Sequence, residues 1–262
     1  MGGFHPTWLA LREPLDHAAR DRELLRRATA LLERQREPVV VDLGCGSGSN
    51  GRALAPRLGP GQRWRLVDGD RALLAEAERQ VPGAVEPILA DLGAVDALPL
   101  DGAHLVTASA VFDLASDAWL ERLTARLAVL QLPLYAALTY DGRIEWAPAH
   151  RLDEPLRAAL NAHQRTDKGL GPALGPAATG RLAGLLTGRG YAVEVAPSPW
   201  RAGPAHAALQ RRVADVMAAA ATELGTLPAA ELAAWRTFRQ SAAAAGRLVL
   251  GHKDLLAVPG AT

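Results

Sequence analysis

Val39-Val-Val-Asp-Leu-Gly-Cys-Gly-Ser-Gly48 decides the fold of this chain. Three β-branched residues in a row read as a central strand, because a parallel strand covered on both faces is apolar throughout. The run ends in Asp42 and opens at once into three glycines at alternate positions, Gly44, Gly46 and Gly48. In such a turn no side chain blocks the approach of a ligand to the backbone. Residues 50–58 then resume as a helix whose N-terminal amides face that ligand. Asp42 narrows its chemistry. A carboxylate at the strand tip repels the pyrophosphate of a dinucleotide and attracts a cation such as an amino-acid ammonium group.

Working outward, strands and helices alternate: strands at 38–43, 63–68, 85–90, 103–110 and 132–139, with helices at 50–58, 71–80 and 117–130. That alternation predicts an α/β fold with a mostly parallel sheet wound on both sides. Asp70 and Ser116 stand where N-caps of the following helices belong. Ahead of the first strand, residues 14–35 read as one amphipathic helix, with Leu15, Ala18, Leu25, Ala28 and Leu32 on its apolar face. After the fifth strand the pattern loosens. Residues 140–143 look like a tight turn, with 144–146 pairing back as a hairpin arm. A helix at 153–163, a glycine-rich loop at 168–175, a helix at 177–186 and a strand at 191–196 follow. Stripes through Leu209, Val213, Val216, Ala220 and Leu224, then Leu232, Trp235 and Phe238, predict two helices between 201 and 246. A final strand occupies 247–258.

The 262 residues suffice for one large domain, and a 49% hydrophobic content supports a sizeable core. Basic and acidic residues number 29 and 28. Specific nucleic-acid binders show a clustered basic excess, and none is evident, so no nucleic-acid partner is expected. Two lysines against 27 arginines, with abundant alanine, suggest a GC-rich bacterial genome. A single cysteine, Cys45, excludes an internal disulfide and a multi-cysteine metal site, and no metal is expected. No uninterrupted apolar segment of signal-peptide or membrane-spanning length occurs; the longest uncharged stretch, residues 127–140, is short and holds Pro133. A cytoplasmic monomer or homodimer is the expectation.

The glycine spacing and Asp42 resemble motif I of the class I (Rossmann-like, seven-stranded) S-adenosylmethionine (SAM)-dependent methyltransferases. The stretch Gly46-x-Gly48-x-x-Gly51 also satisfies the dinucleotide fingerprint, which alone is weak. The resemblance implies a sheet of seven strands whose last runs antiparallel between the fifth and sixth, with SAM as cofactor. It covers residues 39–134 well and 191–257 loosely, and the helices of 201–246 depart from it. It implies one methyltransferase domain over 1–262: an N-terminal helical cap (1–36), a SAM-binding core (37–200), a helical insertion or lid (201–246) and the last strand (247–262). Cofactor contacts carried over by position are Asp42, Gly44, Cys45, Gly46 and Gly48 for the methionine part. Asp68, with Gly69, ends the second strand twenty residues past Gly48 and takes the ribose hydroxyls, a task two carboxylate oxygens suit. Asp91 and the Leu92 amide take the adenine, and Ser109 meets the cofactor at the end of the fourth strand. Cys45 reads as a small packing residue in the loop.

Methyl transfer from a sulfonium is an in-line displacement with an activated leaving group, so the protein contributes mainly orientation and desolvation. A base is needed only for an un-ionised hydroxyl or a protonated amine. Asp113 and His163 are the catalytic candidates, with Tyr140 and His17 behind them. Arg165 and Lys168 are the one compact group suited to an anion of the acceptor. The expected reaction is methylation of O or N on a small-molecule acceptor. Alternatives are an RNA or protein methyltransferase, a non-catalytic SAM-binding protein and, from the fingerprint, a dehydrogenase.

Overall fold

A computed structural model describes residues 6–260; the first five residues of the expected cap and the last two of the expected final strand lie outside the described residues. The elements in order are α1 (Pro6–Ala19), α2 (Arg22–Ala30), β1 (Val39–Leu43), α3 (Ser49–Leu54), β2 (Arg63–Asp68), α4 (Arg71–Gln80), β3 (Ala84–Leu89), β4 (Leu105–Ser109) and α5 (Asp117–Leu130). Then follow β5 (Leu134–Ala147), α6 (Asp153–His163), α7 (Ala178–Thr187), β6 (Tyr191–Pro197), β7 (Trp200–Ala202), α8 (Ala207–Glu223), α9 (Ala229–Ala242) and β8 (Arg247–Pro259).

Seven strands form one path in the order β3-β2-β1-β4-β5-β8-β6, and β7 pairs with β8 off that path. β1 to β5 run parallel, while β8 is antiparallel to β5, β6 and β7. This is the expected doubly wound sheet. Val40 faces a layer built from α2, α3 and α4 through Leu25, Leu54 and Leu74, whereas Val41 faces Leu120, Leu123 and Leu182 of α5 and α7. Strand alternation thus splits the valine run between two cores.

A third core stands beyond the carboxyl end of the sheet. There α1, α6, α8, α9 and β7 bury Leu15, Leu156, Met217, Trp235 and Trp200 against Tyr140, Ile144, Leu248 and Leu250 of β5 and β8. β5 reaches it by bending twice. Its register against β8 shifts between Ala136 and Thr139 and again between Tyr140 and Ile144. At the first bulge the Leu138 N–H donates to the buried Asp254 carboxylate (2.9 Å), which replaces the lost ladder bond. At the second, Asp141 closes over Gly251 so tightly that a Cβ there would lie 2.1 Å from Asp141 Oδ1, so only glycine fits.

Residues 140–146 are therefore a bulge within one long strand, and the expected hairpin is corrected: 144–146 pair with β8 and not back on β5. The expected helix 14–35 is corrected as well. It is two helices broken at Arg20-Asp21, because the Asp21 side chain caps α2 at Leu24 N (2.8 Å) while its own N–H goes to Asp254 (2.9 Å). The caps at Asp70 and Ser116 form as expected. The short β7 carried no periodic signal.

Candidate active site

The carboxyl ends of β1, β2 and β4 meet at the glycine turn. Gly44, Gly46 and Gly48 have φ of 67°, 54° and 89°, the left-handed region that glycine enters freely. Gly48 has a second reason to lack a side chain: a Cβ would lie 2.6 Å from Val81 Cγ2. The turn is pinned by the Gly44 and Cys45 N–H groups donating to Val67 O (2.8 and 3.1 Å). The Cys45 side chain is buried in the core of the α2–α4 layer, and that burial raises its thiol pKa strongly. It stays a neutral packing group.

Asp42 is fully buried. Asn50, one turn into α3, donates Nδ2 to Asp42 Oδ1 (2.7 Å) and to Thr107 Oγ1 (3.1 Å). Asp42 Oδ2 and Asn50 Oδ1 have no hydrogen-bond partner among the described residues. Burial lifts the Asp42 pKa to about 7, against the opposing pull of Asn50 and of the Arg20 charge. A buried carboxylate oxygen without a donor is expensive unless something cationic or N–H-bearing meets it. An ammonium group fits that requirement.

Asp68 accepts the Gly46 N–H at Oδ2 (2.8 Å) and the Asp70 N–H at Oδ1 (2.9 Å). These bonds fix its orientation and leave lone pairs on both oxygens for ribose hydroxyls. Gly69 lies between Asp68 and the capping Asp70, open on its outer side apart from Ala90 O, 3.8 Å from where a Cβ would lie. Asp91 is exposed and its Oδ1 accepts from Gly93 N (2.8 Å) in an Asx turn. The Leu92 carbonyl accepts from Trp119 Nε1 (2.7 Å), which holds that loop against α5. Ser109, at the end of β4, accepts from Arg20 Nη2 (3.3 Å).

α1 lies across this turn. Glu13 forms a two-point pair with Arg52 of α3 (2.7 and 2.6 Å), and the His17 ring contacts Ser49 O (3.0 Å). A Cβ on Gly46 would lie 3.5 Å from Leu9. Asp16 ties the same helix to β7, accepting from Trp200 Nε1 (2.8 Å) and from Arg12 (2.8 Å).

Beyond Ser109 the structure gathers a second set of side chains from five distant segments. Asp113, in the short turn after β4, is buried with Oδ1 unpartnered. Burial pushes its pKa up to about 6, opposed by its own and Tyr140's backbone amides and by the Arg12 charge. His252 of β8 pairs in register with Tyr140 and packs its ring on Trp200 (centroids 5.0 Å apart). Burial and Arg12 lower the His252 pKa to about 3, so it is neutral at pH 7, and its Nδ1 lacks a partner. Arg12 stacks over Trp200 (5.0 Å), and Trp8 meets the same ring edge-on. Tyr140 Oη donates to Asn161 of α6 (2.8 Å).

His163 stands elsewhere. Its Nε2 contacts Glu223 (2.7 Å) and its Nδ1 contacts Lys168 Nζ (3.3 Å), at the ends of α6 and α8. The glycine-rich loop beside it is pinned to the start of α5 through Ser116–Ala173 and Ala115–Leu170 bridges. Reading the chain alone missed Asn50, Arg12, Arg20, Trp200 and His252. One signal was available: His252-Lys253-Asp254 is a polar triplet inside an otherwise apolar last strand.

The strand order with its reversed last strand, and a carboxylate at the head of a glycine turn, define the class I methyltransferase architecture. A family model described as a methyltransferase domain matches residues 40–131, from β1 to the end of α5. Solved structures share the fold at low identity. The cyclopropane synthase MmaA2 from Mycobacterium tuberculosis is 11% identical, with a TM-score of 0.52 over 97% of this chain and 94% of that one. The YcgJ protein from Bacillus subtilis is 12% identical, with a TM-score of 0.52 over 92% and 100%. The plantazolicin methyltransferase BpumL, solved in complex with SAH, is 10% identical, with a TM-score of 0.50 over 97% and 88%. No curated protein matches the sequence. Among the described residues no helix is long and apolar enough to cross a membrane.

Proposed function

We propose that this methyltransferase transfers the methyl group of SAM to an oxygen or nitrogen of a small-molecule acceptor. The observation that carries the cofactor half is the fully buried Asp42, with one oxygen unpartnered, at the head of the glycine turn. SAM, when bound, supplies an electrophilic methyl on a sulfonium. In this assignment Asp42 takes the ammonium of the cofactor's amino-acid head, Gly44 to Gly48 provide close backbone approach, Asp68 and Gly69 take the ribose, and Asp91 with the Leu92 amide takes the adenine.

The acceptor half rests on Asp113. A carboxyl group with a pKa near 6 is mostly ionised at pH 7 and still basic enough to take a proton as the acceptor attacks. Asp113 Oδ1 would take the acceptor's proton as the acceptor lone pair attacks the methyl group that bound SAM would supply, with the sulfonium as leaving group. His163 spends both ring nitrogens on Glu223 and Lys168, so its role is to tie α6 to α8 and the loop between them. The Trp8, Trp200, Tyr140 and His252 rings pack on one another into aromatic walls that reach Asp113 through the Tyr140 backbone amide. Such walls suit a compact ring-bearing acceptor better than a polymer backbone, and the near balance of 29 basic and 28 acidic residues agrees.

α1 serves as the cover that excludes water during transfer, since it bridges α3 of the cofactor turn and β7 of the acceptor side. The segment 201–246 braces that cover from behind. Incubation with SAM and a metabolite extract, followed by mass spectrometry, should reveal a compound gaining one methyl. SAM binding without any methylated product would leave a binding protein and remove the catalytic reading.

A further inference from the structure

Two arginines are buried among the described residues, and they are treated differently. Arg239 is 2% exposed and its charge is matched: its guanidinium pairs with Asp153, donates to Pro148 O (2.7 Å) and lies over Trp146 and Trp235, with only Nε unpartnered. Arg20 is 4% exposed and has no carboxylate partner. Its guanidinium makes one long hydrogen bond, to Ser109 Oγ (3.3 Å), and lies beside the neutral Tyr135 hydroxyl, while both Nε and Nη1 are unpartnered among the described residues. A guanidinium stripped of water without an anion is strongly disfavoured.

The nearby acids do not supply that anion. Asp254 is occupied on both oxygens by the Leu138 and Asp21 N–H groups and the Tyr135 hydroxyl. Asp42 feels the Arg20 charge, yet no ion pair joins them, and Asp42 keeps its own unpartnered Oδ2. The site thus holds a free cationic donor and a free anionic acceptor, close enough to influence each other and too far apart to bond. The complementary ligand is a zwitterion with an ammonium for Asp42 and a carboxylate for Arg20.

We propose that Arg20 binds the carboxylate of the SAM amino-acid head, opposite Asp42. This rests on the SAM reading above and adds a residue to it. A guanidinium offers N–H donors in a planar fork that matches a carboxylate. The break between α1 and α2 is what makes the contact possible, since Asp21 ends the first helix and turns Arg20 inward to the ends of β1 and β4. The same contact would couple seating of α1 to recognition of the intact cofactor.

Calorimetric titration with three probes tests it: SAM, decarboxylated SAM, which keeps the ammonium and sulfonium, and 5′-deoxy-5′-methylthioadenosine, which lacks the whole head. Arg20→Gln should weaken SAM roughly 10- to 100-fold, as for loss of a hydrogen bond to a charged group, and leave the other two probes unchanged. Arg20→Lys should restore part of the loss. An equal loss for all three probes, or none for SAM, overturns the proposal. If Arg20→Gln does not fold, the wild type decides: binding decarboxylated SAM as tightly as SAM overturns it. Wild-type protein that binds the truncated nucleoside but not SAM would sink the cofactor reading itself, a different failure.

Discussion

The two halves of the proposed active site are built in opposite ways. The cofactor half is local: Asp42, the three glycines and Asn50 fall within nine consecutive residues, 42–50, and β1, its turn and the start of α3 place them together. The proposed acceptor half is assembled from Arg12 in α1, Asp113 after β4, Tyr140 in β5, Trp200 in β7 and His252 in β8. Backbone conformation does the work in the first; in the second it is long-range packing around a bent pair of strands. A contiguous turn keeps its geometry through small changes elsewhere, whereas a composite pocket depends on every segment that braces it.

The sharpest way to break that contrast is to damage the brace alone. Asp153→Ala leaves Arg239 buried beneath Trp146 and Trp235 without its anion, a loss of about 3–5 kcal/mol for a buried pair cut on one side. Urea unfolding should show this. SAM titration at low denaturant should find cofactor affinity nearly unchanged, while turnover falls. Equal losses of binding and turnover would show that the two halves are not separable.

A smaller effect comes from the turn itself. Gly48→Ala forces a side chain into φ of 89° and against Val81, a strain of about 1–3 kcal/mol. Here SAM affinity should fall along with stability, whereas for Asp153 only stability and turnover fall. Smallest of all, His163→Gln removes one partly exposed pair with Glu223 and should shift stability by less than about 1 kcal/mol. A kcat unchanged within twofold is the expected result; a fall of a hundredfold would bring His163 back as a catalytic group.

The same division explains what could be read from the chain. The sheet order, the caps at Asp70 and Ser116 and the cofactor turn follow from local patterns: apolar runs, alternate glycines and capping residues. The helix break at Arg20-Asp21 was hidden because its cause, Asp254, lies 233 positions away along the chain. The bulges of β5 were hidden for the same reason, since Asp254 and Gly251 of β8 hold them. Tyr140-Asp-Gly-Arg143 looks like a hairpin turn locally, and only the partner strand makes it a bulge. His252 was passed over because nothing in its neighbourhood along the chain shows that Trp200, Tyr140 and Arg12 surround it.

Asp42 carries the most weight, and its pH dependence has a definite sign. Its folded pKa near 7 stands above the ordinary carboxyl value. In the free protein its contribution to stability is therefore complete below about pH 4 and lost as pH rises through about 7. Cofactor binding runs the other way, because the ammonium needs the ionised carboxylate. The most direct measurement is SAM titration of wild type and Asp42→Asn between pH 6 and pH 7.5. Wild-type affinity should rise across that range, and the variant should bind about 30-fold or more weaker, with a flat profile. Equal affinity in the two proteins at every pH would contradict the assignment of this turn to the cofactor's amino-acid head.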